Sequence, residues 1–503
     1  MVEINPAELE VTSAGPSLPP TTGRRLVGNV ASLSVAAAIT KVVSFVSQLV
    51  VARLLGPAAL GALAVALSLV SLCNVFTDGG LTNYSLREIV RHPSRRARLI
   101  SATLILQVAL SLTGMAAMGL IAATAHWNGQ TGLLIAAISP ALLFSALSLG
   151  YVLQSVEMMG ALALARVVGA LATALASVLL VALTRQAIWV VIATSAGVLG
   201  SDMVIYRSLR RRIPLSFVRV PIRTLRQVSR HGVPFLISGI LFTIPVVYDT
   251  VTINVLLGAR AAGLYNAAWQ LSFTALTVAM LVVDAAYPEL VRRWQRGAPE
   301  LKKLLELMVA LIARFSLPVT IGIFFCANSV VQVIFGRGFS DSAGILRVLI
   351  WLVPLSFLTV VLLQALMAAN GQRYALRVNT IVVTANLALC PIAAKQFGSV
   401  GVAWAVVVTY GLQLSFYGLL TRSRHICNLH WVLLREVPYA GFPVLFCLAG
   451  SRAEFGRTPP AIALLTALGV VLAEITMQRP TLRLATAIYH RPAPPEAGRH
   501  RHR

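Results

Sequence analysis

Leu54-Leu55-Gly56-Pro57-Ala58-Ala59-Leu60-Gly61 has a counterpart 202 residues further on, Leu256-Leu257-Gly258-Ala259-Arg260-Ala261-Ala262-Gly263, which keeps the Leu-Leu-Gly opening and the closing glycine. Each copy lies in a short connection between two long apolar runs. A second match follows in the same order: Leu153-Gln154, Gly160 and Arg166-Val167 return as Leu363-Gln364, Gly371 and Arg377-Val378, with one residue inserted. Leucine- and glycine-rich sequence yields single matches by chance. Two in the same order, at the same place in each half, define an internal repeat.

The runs around these connections call for a bilayer. Of 503 residues, 57% are hydrophobic and 12% charged, and the mean hydropathy is +0.80; soluble domains carry about a quarter charged residues. A helix crosses the hydrocarbon core in about 20 residues. Runs of that order begin near Leu26, Ala58, Leu99, Thr131, Ala161, Ala187, Gly232, Gly263, Leu304, Gly344, Tyr374 and Val400, with weaker ones near Leu434 and Pro460. The expectation is an all-α polytopic membrane protein of 12–14 transmembrane helices. Two parallel-repeat six-helix bundles, 24–206 and 232–425, surround a central cavity and are joined by a basic cytoplasmic linker, 207–231. Two additional helices occupy 426–480, with a disordered tail at 1–23 and a basic tail at 481–503. Six spans per half is an even number, so the repeats are parallel, related by an axis along the membrane normal.

A formal charge of +25 would suggest nucleic acid in a soluble protein. Here the arginines sit between apolar runs and report topology instead. With the amino terminus cytoplasmic, the inner connections hold the clusters Arg87–Arg98, Arg207–Arg230 and Arg292–Lys303, while the outer ones hold Arg185, Arg260, Arg337, Lys395, Arg452 and Arg457. This is the positive-inside pattern of an inner-membrane protein with both termini cytoplasmic. The basic linker suits anionic lipid head groups. Cys73, Cys326, Cys390, Cys427 and Cys447 lack metal-ligand spacing and read as buried thiols. Residues 1–23 lack the pattern of a cleavable signal peptide.

A charge at the bilayer centre costs about 2.5–3.5 kcal/mol on insertion scales and must face protein or water. Lys41 lies midway along the first span and shares a helical face with Ser34, Ala37, Ser44, Gln48 and Ala52. It either lines a cavity or pairs with a carboxylate such as Asp249 or Asp284. Asp249, on the seventh span, aligns with Ser238, Pro245 and Thr252 and is a candidate ion-coupling group. The eighth span presents Asn266, Gln270, Thr277 and Asp284 on one line; the second has Ser71, Asn74 and Asp78 towards its inner end. Asp78 and Asp284, near the interface, suit gating or structural roles. Arg314 sits mid-span, one turn before Pro318, as a cavity residue or a buried anchor. Arg166 and Arg377 lie where side chains reach back to the interface.

The stretch Ala52 to Gly61, followed by an apolar run ending Asp78-Gly79-Gly80-Leu81, resembles the polysaccharide-unit flippases of the multidrug/oligosaccharidyl-lipid/polysaccharide exporter superfamily. Val333-Ile334-Phe335-Gly336-Arg337-Gly338-Phe339, continuing to Leu346-Arg347-Val348-Leu349, resembles the loop between their ninth and tenth helices. The resemblance implies alternating access and an undecaprenyl-pyrophosphate-linked oligosaccharide cargo, with polysaccharide polymerase and chain-length machinery as partners. Lys41, Ser44, Gln48, Asn74, Arg314, Asn266 and Gln270 are the candidate cavity residues for that cargo. No nucleotide-binding Walker A motif is present, so no cofactor is expected and drive is expected from an ion gradient (H+ or Na+), the membrane potential or consumption of cargo on the far side. A lipid II flippase or a cation-coupled multidrug or metabolite antiporter of the same superfamily remain alternatives. An enzyme, such as a membrane glycosyltransferase or polysaccharide ligase, needs acid, base or histidine residues gathered on a sizeable outer loop, and the outer connections are short and nearly free of them.

Overall fold

The computed structural model describes residues 20–124, 127, 130–211, 218–424, 426–429 and 432–433. The first 19 residues of the expected amino-terminal tail, the additional helices expected after Leu434 and the tail 481–503 lie outside the described residues. So do the side chains of Ser34, Thr277 and Asp284.

In hydrocarbon the backbone must satisfy its own hydrogen bonds, and the described residues are helical with no strand. Helix α1 (Pro20–Asp78) is two spans hinged at Gly56, whose φ of 80° and ψ of 175° favour glycine. Pro57 opens the second arm, where its missing N–H costs nothing. The short α2 (Leu81–Arg91) leads to α3 (Arg96–Thr124). The fourth crossing is broken into α4 (Thr131–Ile138), α5 (Pro140–Ala146) and α6 (Gly150–Ser155). Helices α7 (Met159–Thr184) and α8 (Ile188–Arg210) complete the first half. The second half holds α9 (Ile222–Leu257), α10 (Ala259–Gln295), α11 (Ala298–Ile334), the pair α12 (Ser342–Leu349) and α13 (Leu352–Ala368), and α14 (Gln372–Ser423). Helix α14 is again two spans, hinged at Gly398.

Nine described segments are long and apolar enough to cross a membrane. Val35–Arg91 and Gln372–Ser423 each contain one of the glycine hinges and supply two crossings. With α10 the described residues make twelve, matching the twelve apolar runs.

The packing is that of a protein dissolved in lipid. Helix α7 turns Leu171, Leu175, Leu179 and Leu183 outward and lays Gly169 against Gly197 of α8. Small residues let the backbones approach, while leucines meet the acyl chains.

The halves touch at both ends. At the arginine-poor end, Ala52 and Leu60 of α1 enter a core built mainly by the second half, with Ile253, Tyr265, Val331 and Leu346. A methyl group on Gly61 would overlap the Ala259 carbonyl oxygen, and one on Gly263 the Pro57 carbonyl oxygen. These are equivalent positions of the repeat, in reciprocal contact. Gly258 also repeats the conformation of Gly56, with φ 91° and ψ 170°. Arg53 reinforces the contact by capping the carboxyl end of α11: its Nε donates to the Ile334 carbonyl at 2.7 Å and its Nη2 to the Val333 carbonyl.

At the arginine-rich end, Gly80 abuts the Gly232 carbonyl, and Tyr84 stacks on His231 with ring centroids 5.3 Å apart. The described residues of the basic linker are largely helix: α8 continues to Arg210, and α9 starts at Ile222. Leu225 and Val228, on one face of α9, dock into the first-half core. From Ile222 to His231 no proline or glycine interrupts that helix.

Replacing Gly263 by valine is expected to lower the melting temperature of the purified protein by several degrees, because overpacking a tight contact costs about 1–3 kcal/mol. Gly344→Ala, where a methyl group meets nothing within 4 Å, is the control that leaves it unchanged in a thermal-unfolding assay.

Candidate transport site

Polar side chains gather in three places. The first is the seam between the first arm of α1 and α10. Lys41 is exposed, with its Nζ 5.8 Å from the Phe273 ring centroid. Among the described residues it forms no salt bridge with a carboxylate. Ser44, nearly one turn on, is also exposed. Gln48 accepts a hydrogen bond from Gln270 Nε2 at 2.6 Å, bridging the two halves. Asn266 and Gln270 are one turn apart on α10, and the Oδ1 of the first and the Oε1 of the second are buried without a partner. The seam thus combines a cation, an aromatic face and two open acceptors.

The second place lies inside the second half. Asp249 is 1% exposed; its Oδ2 accepts from the Tyr265 hydroxyl at 3.3 Å and its Oδ1 from the Cys390 thiol at 3.2 Å. One turn before Cys390 on α14, Asn386 has a buried Oδ1 without a partner. Helix α9 therefore turns Asp249 towards α10 and α14, away from Lys41. This excludes the ion pair between those two that the sequence left open. Ser238, read on the same stripe, is exposed and bonds back to the Pro234 carbonyl.

The third place is at the arginine-rich end of the first half. Asp78 accepts hydrogen bonds from Thr82 and from Gln107 Nε2, the latter at 3.0 Å. Asn74 Oδ1 accepts from Ser145 at 2.7 Å. Asn74 and Asp78 line two adjoining hollows. One, of 360 Å³, runs into the first half beside Gln107, Tyr151, Gln154 and Arg166. The other, of 330 Å³, lies between α1 and α9 beside Ser71, Phe235 and Gly239.

Gln48 and Gln270 are thus brought together across the seam, with Lys41 beside Phe273 further along the same helices, and Asn74 and Asp78 line the same hollows. Arg314 is half-buried within α11 and lines neither hollow. Gln107, Tyr151 and Gln154 escaped the sequence reading, and Arg166 was read as reaching back to the interface. The available signal was Pro140 and Gly150 interrupting an apolar run, the mark of a discontinuous helix. No group of three or more His, Cys, Asp or Glu arranged for a metal occurs among the described residues.

The family model described as polysaccharide biosynthesis protein matches residues 26–294. The chain belongs to this family. A relative in Haloferax volcanii, the probable low-salt glycan biosynthesis flippase Agl15, is 23% identical over 192 residues, 38% of this chain and 40% of that protein. The alignment therefore spans less than half of that relative. Among solved structures, the lipid II flippase MurJ in an inward closed conformation superposes with a TM-score of 0.74 at 13% identity, covering 90% of this chain and 99% of that one. An inward-facing multidrug resistance MATE transporter of the MOP superfamily gives 0.55 at 16% identity, covering 79% and 98%. The chain thus shares the fold of MurJ and of the MATE structure and is a multi-pass membrane protein.

Hydrogen bonds between membrane helices average about 0.6 kcal/mol by double-mutant cycles, with a maximum near 1.7. Gln48→Ala and Gln270→Ala are expected to show coupling of about that size in unfolding measurements. Strict additivity would show that the bond contributes nothing to joining the halves.

Proposed function

We propose that the protein carries undecaprenyl-pyrophosphate-linked oligosaccharide repeat units across the bacterial cytoplasmic membrane for surface polysaccharide assembly, by alternating access. The observation that carries this reading is Lys41, an ammonium partway along a membrane span with no carboxylate partner among the described residues. A site selecting organic cations needs carboxylates at that position; an ammonium selects an anion. The polyprenyl tail stays in lipid while the head group enters between the halves. Lys41 attracts the pyrophosphate with charge-assisted hydrogen bonds. The buried, unpartnered acceptors of Asn266 and Gln270 take hydrogen bonds from cargo hydroxyls once the halves part. The Gln48–Gln270 bond is then exchanged for bonds to cargo as the halves part.

Asp249 is the proposed proton or sodium site. It bonds to groups on α10 and α14, so a change in its charge acts on the packing of three helices. Both termini face the cytoplasm in this reading, and polymerase and chain-length machinery receive the cargo on the far side.

The direct test is to delete the gene and measure lipid-linked oligosaccharide on each membrane face. Accumulation on the cytoplasmic face is expected, reversed by wild type and by Lys41→Arg but not by Lys41→Ala. Losing a hydrogen bond to a charged group costs about 1.5–3 kcal/mol, so Lys41→Ala should slow export at least about tenfold. Normal export in that strain removes Lys41 from the site.

For Asp249→Asn, transport in proteoliposomes should lose its response to an imposed proton or sodium gradient while binding of undecaprenyl pyrophosphate persists. A gradient response equal to wild type would place the coupling group elsewhere.

A further inference from the structure

We propose that the polar hollow inside the first half is a sugar-binding subsite, which takes a glycan ring of the cargo while Lys41 holds the pyrophosphate; this rests on the reading given above. The hollow has a volume of 360 Å³, within the range of about 300–1,000 Å³ typical of small-molecule sites. Its wall includes the broken fourth crossing, through Ser145, Ser148, Gly150 and Gln154. Irregular backbone at membrane depth is tolerated where it is buried in protein or lines a wet cavity, and discontinuous helices build the substrate sites of many transporters.

The orientation of Gln107 adds an independent observation. Gln107 is 5% exposed. Its Nε2 donates to Asp78 Oδ1 at 3.0 Å and to Thr82 Oγ1 at 3.1 Å, and this fixes which way the amide points. Its Oε1 is left buried without a partner. An unmet buried acceptor costs about 1–3 kcal/mol, which a ligand donor would recover.

The composition selects the ligand class. Arg166 and the Gln154 amide offer donors, while Asp78 and Gln107 Oε1 offer acceptors. A cation is opposed by the Arg166 guanidinium, and an anion by the Asp78 carboxylate. A neutral polyol, each of whose hydroxyls both donates and accepts, fits both sets. The hollow shares Asn74 and Asp78 with the gap between the halves, which gives the glycan a way in. The repeat equivalent of Arg166 has a different use: Arg377 lies over the Tyr374 ring, 6.0 Å from its centroid.

The test measures binding to the full-length protein in nanodiscs with two probes: undecaprenyl pyrophosphate, and the lipid-linked oligosaccharide that accumulates in the deletion strain. Wild type should bind the glycan-bearing lipid at least about tenfold more tightly, a difference of 1.4 kcal/mol. Gln154→Ala and Arg166→Gln should lose most of that difference yet bind undecaprenyl pyrophosphate as wild type does. Gln154 is half-buried and Arg166 exposed, so both variants should fold, and unchanged melting temperatures check this. Equal affinity of wild type for both probes overturns the subsite, as does a difference that both variants keep. Lys41→Ala separates the two readings: if it leaves undecaprenyl pyrophosphate binding unchanged, the anion site fails, while the glycan-dependent increment is still read from the other variants.

Discussion

Within hydrocarbon there is no water to meet an open N–H or C=O, and each one left unpaired costs several kcal/mol. That constraint governs where this chain is allowed to stop being helical. The hinges at Gly56 and Gly258 fall in turns between spans, where water is close. The break between α12 and α13 occurs at Ile350, which is 1% exposed, so protein surrounds it. Two breaks fall within the fourth crossing: the one at Ser139 is buried in protein, and Ser145, Ser148 and Gly150, beside the one between α5 and α6, line a polar hollow. The same rule therefore accounts for the continuous spans and for the place where one of them comes apart.

A second consequence concerns the halves. Leucine gains little by leaving lipid for a neighbouring helix, so association depends on close backbone approach and on polar contacts. The reciprocal Gly61 and Gly263 contacts provide the first at one end, and Arg53 on the α11 carboxyl end provides the second. At the other end Gly80 meets Gly232 and Tyr84 meets His231. Between them the seam includes single hydrogen bonds such as Gln48 to Gln270. Contacts of this kind are made and broken as units, which suits two bundles that rock against each other.

The sequence carried the helix order and the repeat because both are periodic signals: runs of about 20 apolar residues and a constant offset between equivalent glycines. It also singled out Gln48 and Gln270, which the structure joins across the halves, since each is a polar residue with a costly position in lipid. It did not carry the surroundings of Asp249. A helical wheel shows which residues share a face, and only packing decides whether that face meets the gap between halves or the inside of one bundle. The hollow beside Gln107 was hidden for another reason. Its lining comes from α1, α2, α3, α5, α6, α7 and α8, each giving one to three residues that look unremarkable alone. The helical start of α9 was missed because arginine density masked the apolar face of Leu225 and Val228.

Depth ties the seam to the hollow. Lys41 lies fifteen residues before the Gly56 hinge and Asn74 eighteen after it, so at 1.5 Å per residue their levels differ by about 5 Å. They stand on the two arms of one helical hairpin, α1, and move together in any rocking of the first half. A pyrophosphate at Lys41 and a sugar ring beyond Asn74 would then be held by a single rigid unit. The second half would contribute the acceptors of α10 and the groups around Asp249. Charge recognition and the glycan subsite would ride with the first half, while ion coupling acts through the second. Cargo and driving ion would then meet through α10, which carries both those acceptors and Tyr265, the partner of Asp249.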